Sequence, residues 1–375
     1  MIRALKLKDF KCFEDLKDIE TRQITLLTGS NGRGKSSVFQ SLLLMAQSFR
    51  SGRNLETLKI NGRFVCLGTF DDILRKECQC KTIEMSFTTD DLDENQIELT
   101  WAAADAKPKC ADLKSFKVKY KDGKTKELVS MVGADNESSV QTIESVSSNS
   151  AVAALNQFSN FFYVSAERLG PTNYSVQDDV NGIGIHGEQI VNVLHEKGKS
   201  FIKEVAETIS KIMGGASISI GDVDKEFLKL TMDSKDGSDN FKPVNVGFGY
   251  SYILPVVVIP LIAPNNAKIV IENPEAHLHP GAQSRLMNFI IAIAKEKGLQ
   301  LFIETHSDHV INALRIATKE KKFGMQESDS CIIHLCRETD GNLKSTPIFI
   351  DREGNLSDYP TDFMEEWGNQ MMYLV

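Results

Sequence analysis

The chain has 375 residues, 41% of them hydrophobic and 25% charged, with a formal net charge of −8. That length and composition suit a globular protein with a sizeable core, and the charge excludes a surface that is cationic all over, although a local basic stripe stays compatible with it. Seven cysteines, none in a C-x-x-C pair and odd in total, argue for reduced thiols and a cytoplasmic location rather than a disulfide framework.

The first residues, Met1-Ile2-Arg3-Ala4-Leu5-Lys6-Leu7-Lys8, alternate charged and apolar side chains, which predicts a strand and not a secretion signal. A connection through Phe10 and Phe13 leads to an apolar run, Ile24-Thr25-Leu26-Leu27, and then to Gly29-Ser30-Asn31-Gly32-Arg33-Gly34-Lys35-Ser36. This is a complete G-x-x-x-x-G-K-S/T phosphate loop, and it opens into a helical pattern from Val38 to Ala46. Its glycines let the backbone wrap an anion, its N–H groups point at phosphate oxygens, and the following helix adds the positive end of its dipole. The pattern predicts that Gly29, Asn31, Gly32, Gly34, Lys35, Ser36 and Ser37 bind ATP, with Lys35 on the β- and γ-phosphates and Ser36 on Mg²⁺.

From about residue 55 to 150 the pattern changes to short alternating runs such as Ile97–Trp101 and Phe116–Tyr120, the second closed by the turn signal Asp122-Gly123. A β-rich insertion is expected here, ending in a serine- and asparagine-rich loop, Glu137 to Ser150, expected to be mobile. Lys107, Lys109, Lys114, Lys117, Lys119, Lys121, Lys124 and Lys126 stand against only Asp112 and Asp122. Such a run binds a phosphate backbone or forms a solvated hairpin face, and the acidic stretch from Glu84 to Glu98 could neutralise it.

Beyond Ala151 buried-strand and helical patterns return. Phe161–Val164 reads as a strand, Glu188–His195 and Phe201–Met213 as helices, and Ile218–Ile220 with Phe227–Met232 as a strand pair. The longest apolar run, Ile253 to Ala263, contains Pro255 and Pro260 and is too short to span a bilayer, so no membrane partner is expected. Two further apolar runs, Lys268–Glu272 and Leu299–Ile303, each precede a helical pattern, which implies a parallel sheet covered on both faces. The first ends in Glu272-Asn273-Pro274-Glu275 and has the form of a Walker B strand, its carboxylate placed to order Mg²⁺ at the carboxyl edge of the sheet. The second leaves His306 just past its end, where an imidazole can donate to a γ-phosphate oxygen. The alternative readings of these histidines are a side chain merely satisfied at a strand end, and metal binding by His306, His309 and Glu304 or by His277 and His279.

Ile2 to Phe13, the GSNGRGKSS loop, Val246-Gly247-Phe248-Gly249-Tyr250-Ser251, the IENPEAHLHPGAQ stretch from Ile271 to Gln283 and ETHSDH from Glu304 to His309 together resemble ABC-type ATPases related to RecF, SMC and the ATPase half of OLD-family nucleases. More closely the chain is similar to stand-alone bacterial AAA-family ATPases with a short C-terminal domain, a match that extends to Asp351–Gly354 and Tyr359–Phe363. The resemblance covers nearly all of the chain outside residues 80–150. It implies an α/β, ABC-ATPase-like P-loop fold with a parallel-sheet core. Residues 1–55 would form an N-terminal ATPase lobe, 56–150 the β-rich insertion, 151–340 a C-terminal lobe with signature, Walker B and switch histidine, and 341–375 a C-terminal extension.

The same resemblance makes Gly247, Gly249 and Ser251 the counterpart of the ABC signature, which caps the γ-phosphate on a facing subunit, so that a homodimer sandwiches two ATP molecules head to tail. It makes Glu272 the Mg²⁺-ordering acid and puts Asn273 where a catalytic glutamate normally stands. An amide orients water but takes no proton, which leaves Glu275 as the best remaining general base, with His306 as the γ-phosphate sensor. The expected activity is ATP hydrolysis by a dimeric switch in a bacterial anti-phage defence or DNA-repair complex, with a separate effector such as a nuclease and nucleic acid as a candidate partner. No nuclease domain is expected in the short stretch after Thr346–Ile350. The rival readings are the nucleotide-binding subunit of an ABC transporter and an ATP-binding scaffold with little hydrolysis.

Overall fold

The computed structural model describes residues 1–49, 57–90, 96–104, 107–119, 125–130, 155–169, 174–176, 182–223, 226–235, 241–338, 341–360, 362–364 and 372–373. The Asp122-Gly123 turn, Lys121, Lys124 and the Glu137–Ser150 stretch lie outside these residues. The chain divides into two compact units, the first comprising Met1–Phe161, Ser328–Phe349 and Leu356–Val375, the second Phe162–Glu327 and Ile350–Asn355.

In the first unit β1 (Ile2–Phe10) and β2 (Phe13–Glu20) form an antiparallel hairpin with Phe10 opposite Phe13. The Phe10–Phe13 connection is therefore a tight turn between two strands, made with Lys11 in the left-handed region at φ 52°. Strand β3 (Ile24–Thr28) is buried along its whole length and leads to α1 (Lys35–Phe49). Next come β4 (Thr57–Lys59), the short helix α2 (Phe70–Ile73), β5 (Thr82–Thr89), β6 (Gln96–Ala103), β7 (Cys110–Lys119) and β8 (Thr125–Ser130).

Strands β2, β1, β5, β6, β7 and β4 lie side by side in that order, every pair antiparallel, and β8 also pairs with β7. Period-two patterning explains the sheet. Alternate residues such as Ile83, Met85 and Phe87 in β5 and Ile97, Leu99 and Trp101 in β6 are buried. On the polar face Glu98 stands opposite Lys117 and forms an ion pair with Lys119, so acid from β6 answers part of the lysine stripe on β7.

The second unit holds β9 (Phe161–Val164), β10 (Tyr174–Val176), α3 (Ile190–Met213), β11 (Ser217–Asp222), β12 (Phe227–Asp233), α4 (Phe248–Ile262), β13 (Lys268–Glu272), α5 (Pro280–Lys297), β14 (Gln300–Glu304) and α6 (Asp308–Lys319). Strands β13 and β14 run parallel with Glu272 in register with Glu304, and β9 is the other neighbour of β13. Both strands are almost wholly buried, as continuous apolar runs between covering helices require. Strands β10, β12 and β11 form a small antiparallel sheet. The two helices expected between Glu188 and Met213 are the two segments of α3, which meet at Gly198, whose φ of 82° cannot continue an α-helix. Helix α4 carries no polar stripe and is buried on nearly all sides despite Pro255 and Pro260.

The chain returns to the first unit with β15 (Ser330–Arg337), parallel to β3, and β16 (Leu343–Ile348), antiparallel to β15. Among the described residues no helix is long and apolar enough to cross a membrane.

Candidate active site

In the first unit the loop from Gly29 to Gly34 turns between β3 and α1 with Gly29 at φ 134° and Gly34 at φ 87°. Both positions are closed to a side chain. A Cβ on Gly29 would sit 2.3 Å from the carbonyl oxygen of Leu335 in β15, and one on Gly34 would sit 2.5 Å from the Phe13 ring and 2.9 Å from Cys12 Sγ. The loop is thus gripped by β15 on one side and by the β1–β2 turn on the other. Lys35, only 4% exposed, folds its ammonium back into the loop, where Nζ donates to Gly29 O at 2.8 Å and Ser30 O at 3.1 Å. The first turn of α1 contains no acidic residue to compete for an anion, and Asn31, Gly32 and Ser36 face solvent while Ser37 is half-buried. Such an arrangement can receive a phosphate on backbone N–H groups and transfer the ammonium from carbonyl oxygens to phosphate oxygens.

Within the second unit the ends of β13 and β14 carry the acidic residues. Glu272 Oε2 accepts the backbone N–H of Ala166 at 3.0 Å, and the Tyr163 hydroxyl also donates to this carboxylate. Burial holds the Glu272 carboxyl above its ordinary pKa, against those two hydrogen bonds and the Arg168 charge, which lower it. Asn273 follows in a left-handed conformation, φ 43°, with its N–H on Glu304 O at 2.9 Å and its buried side-chain oxygen lacking a hydrogen-bond partner. A non-glycine residue in that region stores backbone strain, a feature that gathers at functional sites. Glu275 Oε1 accepts from Thr305 Oγ1 and from the backbone N–H of His306, both at 2.9 Å, while the buried Oε2 has no partner. The ring of His306 is exposed.

One residue that sequence reading missed lies at the centre of this group. Arg168, 4% exposed, donates from Nη2 to the Asn273 carbonyl, and its Nε and Nη1 have no hydrogen-bond partner. Burial lowers its pKa to about 10 against the attraction of Glu275, Tyr252 and Glu272, so it stays charged at neutral pH. Its position four residues after β9 carries no spacing signal; a charged residue inside the run Ser165-Ala166-Glu167-Arg168 after a buried strand was the only hint.

Gly247 caps α4, Gly249 packs against the His277 carbonyl, and the buried Ser251 hydroxyl has no partner. Phe248 is 61% exposed beside them. His277 packs edge-on against Tyr252 with ring centroids 4.4 Å apart, and His279 accepts the Gly281 N–H as the cap of α5. Among the described residues none of His277, His279, His306 and His309 belongs to a group of three converging metal-ligand side chains. The structure therefore assembles Glu272, Asn273, Glu275 and the His306 backbone in one cluster within the second unit, and the phosphate-loop residues in another within the first.

A family model described as AAA domain, putative AbiEii toxin, Type IV TA system, matches residues 24–312. A second model, for a protein of unknown function (DUF3696), matches residues 327–374. The OLD nuclease of Thermus scotoductus is 22% identical over 379 residues, covering 91% of this chain and 65% of that protein, so the chain spans just under two thirds of that relative's length. Among solved structures, an Smc head bound to the C-winged helix domain of ScpA aligns with a TM-score of 0.51 at 15% identity, over 93% of this chain and 98% of that one. An Smc head domain with an extended coiled coil, bound to the C-terminal domain of ScpA derived from Pyrococcus furiosus, aligns with a TM-score of 0.50 at 13% identity, over 100% and 99%. The fold is accordingly the α/β P-loop fold of the SMC head.

Proposed function

This chain belongs to the AAA-domain family whose model spans residues 24–312, is related to the ABC/AAA-type ATPases of the RecF, SMC and OLD group, and from that premise we propose that it binds and hydrolyses ATP as a nucleotide-driven dimeric switch. The observation that carries the reading is the buried Lys35 ammonium held inside its own glycine loop by two carbonyl oxygens, at the start of a helix without acidic residues.

In this reading Gly29, Asn31, Gly32, Gly34, Lys35, Ser36 and Ser37 hold the phosphates. Ser36 and Glu272 each offer the oxygen donor that a hard divalent cation takes, and Mg²⁺, when bound, would neutralise phosphate charge. Glu275 serves as general base. Its Oε1 is fixed by Thr305 and His306, and its Oε2 is left to take the proton of a water whose oxygen attacks the γ-phosphorus as the bond to ADP breaks. Asn273 orients that water, His306 senses the γ-phosphate, and Arg168 holds the Asn273 carbonyl and balances the two carboxylates. Gly247, Gly249 and Ser251 would cap the nucleotide of a second copy, with the exposed Phe248 at the closing surface.

The family description, with its type IV toxin–antitoxin system, and the OLD nuclease relative support a place in defence or DNA repair, with a separate effector such as a nuclease. A scaffold that binds ATP with little turnover is the second reading, favoured by the amide at Asn273. Nucleotide binding and phosphate release test both: Lys35→Ala should weaken ATP binding at least tenfold, a loss of about 1.5–3 kcal/mol for charged hydrogen bonds. Unchanged affinity in that variant would reject the phosphate-loop reading, and tight binding with no phosphate release in the wild type would favour the scaffold.

A further inference from the structure

Two thiols and a carboxylate converge in the first unit, outside every residue assigned to the nucleotide. Asp9 lies near the end of β1, and Cys78 and Cys80 precede β5 in the segment Cys78-Gln79-Cys80. The two sulfurs are 3.0 Å apart, Cys80 Sγ is 3.7 Å from Asp9 Oδ2, and one ligand atom from each of the three residues lies within 4.8 Å of the others. Asp9 is 6% exposed, and its carboxylate is aimed by Arg75, whose Nε donates to Oδ1 at 2.9 Å and leaves Oδ2 turned to the thiols. Arg75 in turn meets Glu77 at 2.8 Å and Glu14 at 3.6 Å. The backbone closes the same group independently of the side chains, with Arg75 N on Asp9 O and Cys78 N on Arg75 O, both at 3.0 Å.

We infer that Asp9, Cys78 and Cys80 form a binding site for a thiophilic divalent cation of the zinc class, with its fourth position open to water. Two sulfurs and one oxygen suit zinc and disfavour Mg²⁺ or Ca²⁺, which take oxygen ligands. Tetrahedral bonds of about 2.3 Å to sulfur and about 2.1 Å to oxygen require separations of about 3.8 Å between sulfurs and about 3.6 Å between sulfur and oxygen. The Cys80–Asp9 separation already meets this, and the thiols need to part by less than about 1 Å, which the exposed side chain of Cys80 permits. Binding releases the two thiol protons to solvent, and the site's residual negative charge faces the Arg75 guanidinium. Arg75 plays the part of the partner that fixes a ligand's orientation. The ion would brace the end of β1, two residues from the Cys12 and Phe13 turn that packs on Gly34.

The test uses the full chain, reduced with a phosphine, stripped by a chelator and titrated with Co²⁺ and then Zn²⁺. One equivalent of Co²⁺ should give sulfur-to-cobalt charge-transfer absorption that Zn²⁺ displaces. Cys80→Ser should remove the band and weaken zinc at least tenfold, Arg75→Gln should weaken it about tenfold with the band retained, and Cys66→Ser, at another exposed thiol, should change nothing. The nucleotide residues themselves offer only oxygen and nitrogen, and Cys12→Ser, which removes the thiol beside Gly34 and Ser37, should leave the band unchanged, which makes the outcome independent of the ATPase reading. In the unaltered protein Zn²⁺ should also protect Cys78 and Cys80 from alkylation, read by peptide mass spectrometry. No band and no protection, a band that survives Cys80→Ser, or a Cys78–Cys80 disulfide that persists under reductant would overturn the site.

Discussion

Glu275 is anchored through one oxygen and open at the other, and that asymmetry decides how it can be tested. In Glu275→Gln the amide oxygen keeps the bonds from Thr305 and His306 while the proton-accepting oxygen is lost, so the fold should survive. Phosphate release should fall about 10²- to 10⁴-fold with ATP binding intact, and a wild-type rate would move the base elsewhere. Glu272 gives a pH signature. Its folded pKa is raised by burial, so the folded state binds the extra proton, and stability falls as pH rises through the window between the unfolded and folded pKa. The cost is fully present above the folded pKa and absent below the unfolded one. Glu272→Gln should therefore raise the melting temperature of the nucleotide-free protein at neutral pH, by an increment that shrinks on acidification; an increment constant with pH would refute the assignment. Arg168 shows why such sites are only partly legible in a sequence. Its bond to the Asn273 carbonyl spans 105 residues, and no local pattern marks either end.

At the level of elements, the phosphate loop depends on a strand far along the chain. Strand β15 pairs in parallel with β3, placing His334 opposite Thr28 with its ring 3.1 Å from the Thr28 hydroxyl, and setting the Leu335 carbonyl against Gly29. Gly29→Ala combines an unfavourable φ with a 2.3 Å clash against backbone, so it should cost about 2–3 kcal/mol, read by denaturant unfolding. A neutral result would mean the loop adopts another conformation. The apolar runs at β13 and β14 were readable because a strand buried on both faces must be apolar throughout. The break in α3 at Gly198 was readable too, because the helical pattern lapses between His195 and Phe201 around a glycine that takes a φ no helix interior allows.

For the whole molecule the dimer proposal makes the sharpest claim. With ATP and Mg²⁺, Glu275→Gln should double its mass by light scattering, and adding Phe248→Asp should return it to a monomer while nucleotide affinity is kept; a monomer under all conditions would remove the sandwich. Nucleic acid is a separate matter. Glu98 already answers Lys119 and stands opposite Lys117, so any contribution of the stripe falls chiefly to exposed positions such as Lys107, Lys109 and Lys114. Reversing those three to glutamate should weaken DNA binding and flatten its salt dependence, measured by fluorescence titration; equal binding would place the contact elsewhere.

The chain by itself determined what contiguous residues determine. The α/β P-loop class could be read from it because a glycine-rich loop between a buried strand and a helix, and apolar runs alternating with helices, are local patterns imposed by backbone geometry and burial. Only the tertiary structure decided which distant groups meet: Arg168 under Asn273, β15 against Gly29, Asp9 beside Cys78 and Cys80. Those encounters are set by strand order and packing, where the free energy comes from many shared contacts and no single stretch of sequence carries the signal.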